Sequence, residues 1–230
     1  MSDFNIDPKL IALIKTKSVL SKDTTDTVFE IFTSLKELIS QIDKSLRSKA
    51  TGIDERIKIA HTDKGTFESE LKVADDVLIF LMHTNVFIFD ENNSVWKSGY
   101  IKQDPTRATC GIISIYNFLS DSFKFERKND VGHLIARIFI NHEKHFFVEG
   151  KKQMGVLFND FGNEVLSQSH LQSIVESALI YSLDLDVIVP PFDKMNSITV
   201  NQVIEYSLQV ALTTSKRLGF KSEGALNDSQ

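Results

Sequence analysis

Three groups of side chains in this chain have types and spacings that could do chemistry. Glu149 and Lys151 stand two apart, with Asp130 upstream. Two carboxylates holding Mg²⁺ beside a lysine that orients the attacking water make the core of a metal-dependent nuclease or another hydrolase. Glu149-Gly150-Lys151-Lys152 reads against that use, because Gly at the first central position predicts a two-residue hairpin turn with Lys151 in it. If 135–140 pairs with 145–149 around the loop 142–144, Glu149 faces Arg137. Asp130 then lies about 20 Å further along the strand, at about 3.3 Å per residue. An Arg137–Glu149 ion pair is the plainer expectation, and Arg137 is a candidate binding residue.

His142 and His145 are three apart and could offer zinc two ligands from one helical face. The spacing is not the H-E-x-x-H of metalloproteases, and a solvated loop is the expected setting. Cys110, the single cysteine, could pair with a distant histidine as a nucleophile. Beside Gly111, Ile112 and Ile113 it reads instead as a small packing thiol. His83 and Asn85 interrupt an apolar stretch where a bulge would sit, and bulges gather near functional sites, so both are candidate binding residues. His61 is expected in the core, opposite Phe67. Lys124, Arg127 and Lys128 interleave with Phe123 and Phe125, a pattern that suits single-stranded nucleic acid. Glu126 interrupts that run, and cations belong at a helix end anyway. The ten glycines form no phosphate-binding loop, so no cofactor is expected.

The stretch that must position all of these is Val77–Phe89. Val77, Ile79 and Leu81 project to one side of a strand, and Leu78, Phe80 and Met82 to the other. Apolar on both faces, it predicts an interior strand covered on both sides. It is too short to cross a bilayer, which takes about 20 apolar residues as a helix. Before it, 57–62 and 66–73 form a hairpin around Asp63-Lys64-Gly65. In the second arm Phe67, Ser69, Leu71 and Val73 share one face. After it, 94–99 is expected to return to the sheet.

Asp7-Pro8 predicts a first helix ending near Lys17, and Thr27 with Glu30 a second running to about Lys49. Val28, Ile31, Leu35, Leu38 and Ile42 follow a 3-4-3-4 spacing, widened by Phe32, Ile39 and Leu46. Asp104-Pro105 repeats the cap signature, and Ile112, Ile115, Tyr116, Leu119 and Phe123 predict a helix to Lys124. The segment 129–141 leans to helix, with a strand over 135–141 as the alternative. A second hairpin is expected from 145–149 and 154–158, then a turn at 159–162, a helix through Leu171–Leu179 and a short strand at 183–189. A last helix would follow Thr199.

The expected fold is α+β, a mostly antiparallel sheet of six to eight strands flanked by helices, with an N-terminal helical segment. The expected organisation is a helical hairpin over 1–50, an α+β domain over 51–220 and a polar tail over 221–230. With 42% apolar residues, 17 Phe and only 4 Pro among 230 residues, the chain builds a large core. A net charge of −5 gives the whole chain no basic field, so no membrane partner is expected and nucleic acid is disfavoured, while a local basic patch stays open. A lone cysteine and no positive region at Met1-Ser2-Asp3 point to the cytoplasm, without a signal peptide. The expected role is a non-catalytic binding or interaction module for a protein or small ligand. Self-association through the Val28–Leu46 helix face is the expected partner contact; Asp130, Glu149 and Lys151 carry the enzymatic alternative.

Overall fold

Strand β3, Asp76–Met82, lies in the interior of a seven-stranded antiparallel sheet. The computed structural model describes residues 6–50, 52–128, 130–151, 154–185 and 200. The chain separates into two units, 1–119 with 131–185, and 120–130 with 186–230; the sheet belongs to the first. Its order is β1 (Ile59–Asp63), β2 (Glu68–Val73), β3, β5 (Thr109–Leu119), β6 (His133–Asn141) and β7 (Phe146–Gly150), with β4 (Phe87–Ile88) on β5. The fold is therefore α+β, as the strand patterning predicts.

The helical layer is α1 (Pro8–Leu13), a π-helical turn (Ile14–Ser18) and α2 (Val19–Lys49). These form one continuous rod, not the expected hairpin. Ile14 and Ser18 both keep right-handed helical backbone, and no Gly or Pro lies between Ile14 and Thr24 to stop the helix. Thr27, the expected cap, turns its hydroxyl to the His142 carbonyl, and Thr24 and Thr25 spend theirs on the carbonyls of Leu20 and Ser21, so none of the three caps a new helix.

The apolar stripe of α2 is buried inside the chain. Val28, Phe32, Leu35 and Ile39 pack with Leu71, Leu78, Phe80, Ile113, Ile115 and Ile138 from the sheet, joined by Leu171, Ile174 and Val175 of α6 (Gln168–Leu183). Burying such side chains stabilises by about 1.5–3 kcal/mol each. The sheet thus covers the face expected to serve self-association. On the opposite sheet face a smaller core joins Cys110, Ile112, Phe139, Phe147 and Phe161 to Ile101 of α3 (Gly99–Gln103). Phe139 and Phe147 are cross-strand partners with rings stacked at 4.8 Å. Of β3, Val77 and Ile79 are buried on this second side while Leu81 is 36% exposed, so cover thins toward its end.

Several elements differ from expectation. Residues 109–119, expected as helix, are the long strand β5; only Pro105–Ala108 makes a 3-10 turn, capped by Asp104. Its apolar residues satisfy a 3-4 spacing and an alternation alike, and its isoleucines suit a pleated sheet better than a helix. β6 is strand for the same reason, the alternative reading of that segment. Ser94–Lys97 is a 3-10 turn rather than a strand, and Met154–Leu157 is a short helix, α5. In β1, His61 faces Leu71, not Phe67, because the hairpin loop is longer than Asp63-Lys64-Gly65 alone. α6 continues through Leu183, where a strand was expected to begin; 186–189, the helix after Thr199 except Val200, and the tail 221–230 lie outside the described residues. The second unit contributes α4 (Ser120–Lys124).

Candidate functional site

Asn141, at the end of β6, is fully buried and organises the loops around it. Its Oδ1 accepts from the backbone N–H of Glu143 and of His145, each at 3.0 Å. Its Nδ2 donates to the Tyr100 hydroxyl at 2.9 Å and to the Arg107 carbonyl at 3.2 Å. One side chain therefore ties the β6–β7 turn to α3 and to the 105–108 turn. A buried amide must be satisfied, and this one fills each of those roles.

Tyr100 lies at the centre of the cluster. Its hydroxyl donates to Glu143 at 2.5 Å, its ring stacks on His145 at 4.3 Å, and the Arg107 guanidinium sits 4.4 Å from its centroid. Arg107 also reaches Glu143 at 3.1 Å and the Tyr100 carbonyl at 3.1 Å. His145 Nδ1 bonds the Phe161 carbonyl at 3.0 Å. Burial and the Glu143 bond push the Tyr100 hydroxyl well above the usual tyrosine range. The Tyr100 bond and then Arg107 hold the Glu143 carboxyl below the usual range.

Beside this cluster opens a cleft of about 970 Å³ between β7, α3 and the 159–163 loop. Phe147 and Phe161 border it, and Ser98, Gln103, Glu149, Asp160 and Asn163 line it. Among the described residues the charged groups lining it are both acidic, Glu149 and Asp160. Asn163 Nδ2 donates to Asp160 at 2.9 Å, which fixes the loop.

The expected site residues are dispersed. Glu149 faces Arg137 across the β6–β7 ladder and ion-pairs with it, in the register the loop length predicts. Lys151 is exposed at the bend after β7, and its N–H donates to the Ile135 carbonyl at 3.0 Å. Asp130 belongs to the second unit, where it accepts from Ser122 at 2.6 Å and pairs with Arg127 at 2.8 Å. His142 accepts from Thr27 through its carbonyl at 3.4 Å, and its buried Nδ1 has no hydrogen-bond partner. Among the described residues no group of three His, Cys, Asp or Glu could hold a metal ion. His83 and Asn85 form a local turn, the Asn85 N–H donating to His83 Nδ1 at 3.2 Å, where β3 stops before β4 resumes on β5. The Cys110 thiol is buried, and burial raises its pKa, the opposite of an activated nucleophile.

Tyr100, Arg107, Asn141 and Glu143, which form this cluster, belong to no motif in the sequence. The one local signal was an Asn after the apolar run 135–140, a residue type that starts turns by bonding N–H groups two residues on. No family model, no curated protein and no solved structure matches this chain.

Proposed function

We propose that this protein is a non-catalytic binding module that takes a small polar ligand in the cleft beside Tyr100. One observation carries the reading. Beside the cleft Tyr100, Glu143 and Arg107 are bonded to one another and His145 to the Phe161 carbonyl, while Ser98, Gln103, Glu149 and Asp160 line the opening. A wall of amides, hydroxyls and two carboxylates favours a neutral polyol or an amine over a phosphate, since an anion would meet Glu149 and Asp160. The lone reduced cysteine, Cys110, supports a cytoplasmic setting.

Thermal unfolding against a panel of monosaccharides, polyols and primary amines tests this. A ligand at a hundred times its Kd stabilises by about 2.7 kcal/mol. The shift should disappear in Gln103→Ala with Asp160→Ala. A saturable Mg²⁺ site by calorimetry that vanishes in Glu149→Ala would replace this reading with the hydrolase one.

A further inference from the structure

The exposed part of the helical rod has a composition unlike the rest of the chain. From Pro8 to Lys22 it carries Lys9, Lys15, Lys17 and Lys22 and no Asp or Glu, in a protein of net charge −5. Over the same stretch run Leu10, Ile11, Leu13, Ile14 and Val19, each between 39% and 51% exposed. Every residue from Ile6 to Val19 is exposed, and α1 and the π turn bury nothing. The sheet begins to cover the rod only near Thr24 and Val28.

Helical spacing sorts these side chains. Leu10, Leu13 and Ile14 fall at i, i+3 and i+4, and Ile11 widens the arc on one side. Lys9 lies one turn before Leu13 and Lys15 one turn after Ile11, so these two cations border the apolar arc on its flanks, and Lys17, one turn after Leu13, follows the arc along the rod. An apolar stripe bordered by lysines, whose long stems let the ammonium rise beside it, matches the boundary between acyl chains and anionic headgroups. Pairing with the same segment of a second copy would set these lysines against each other. The charge therefore chooses an occupant for the face.

We propose that residues 8–22 are a docking element for an anionic lipid surface, laying Leu10, Leu13 and Ile14 into the headgroup boundary while the lysines meet lipid phosphates and carboxylates. No helix among the described residues is long and apolar enough to span a membrane, so the contact is peripheral. The cleft plays no part in it.

Cosedimentation of the full chain with phosphatidylcholine vesicles, with and without phosphatidylserine, decides the matter. Binding should require phosphatidylserine and fall with added salt, because surface charges are screened over about 8–10 Å at physiological ionic strength. Lys9→Gln with Lys15→Gln and Lys17→Gln should weaken it by about a hundredfold, at about fivefold per lysine. Leu10→Ser with Ile14→Ser should abolish it with unchanged circular dichroism and melting, since neither side chain is in the core. Absent binding, equal binding to both vesicle types, or an unaffected lysine variant would overturn the proposal. So would a doubled mass that Leu10→Ser with Ile14→Ser halves, which would assign the face to a second copy.

Discussion

A Cβ placed on Gly111 would lie 2.6 Å from Cγ2 of Val28, so α2 rests directly on the backbone of β5. Glycine is needed there for space: Val28 is completely buried, and the stripe that follows it along α2 reaches the sheet because nothing projects from position 111. This contact fixes the height at which the helix crosses the strand.

Gly111→Ala should therefore destabilise the protein by about 1–3 kcal/mol, the usual cost of overpacking a filled core. Val28→Ala in the same chain should recover part of that loss, since it removes the methyl groups the new Cβ meets. Denaturant unfolding of the two single variants and the double variant measures the coupling. Strictly additive costs would mean that Val28 and position 111 do not meet.

Asn141→Ala should cost about 1–3 kcal/mol, because it leaves the N–H groups of Glu143 and His145 without their acceptor. The loss should be accompanied by a change in the near-ultraviolet signal of Tyr100, whose hydroxyl accepts from the Asn141 amide. Asn141→Asp is the informative companion. It keeps the acceptor for both N–H groups but sets a carboxylate against the Tyr100 hydroxyl and Glu143. A variant as stable as the parent would show that only the backbone contacts count.

Glu143 has a folded-state pKa below its unfolded value, through the Tyr100 bond and then Arg107. Such a group contributes stability above its unfolded pKa, about 4.3, and the contribution is lost as pH falls through the lower folded value. Acidification from pH 5 should therefore destabilise the parent more steeply than Glu143→Gln. Equal slopes for the two proteins would exclude Glu143 from the acid response.

Much of the fold is legible in local spacing. Alternating apolar residues on two faces identify 77–82 as an interior strand, and the 3-4-3-4 stripe from Val28 identifies the face of α2 that is buried. The length of the loop 142–144 is enough to set Arg137 opposite Glu149, because strand register follows loop length. What spacing could not settle is the element type of residues 109–119, whose isoleucines satisfy both periods. Pairing with β3 on one side and β6 on the other resolves it as a strand. Nor does a pattern say what covers a face: Leu10 and Ile14 look like core residues until the rod is seen to project past the sheet. The Tyr100 cluster is hidden for a related reason. Tyr100 and Asn141 are 41 positions apart, and Arg107 and Glu143 are 36 apart. Hydrogen bonds at that separation leave no period in the chain, and form only once β5, β6 and α3 have brought their ends together.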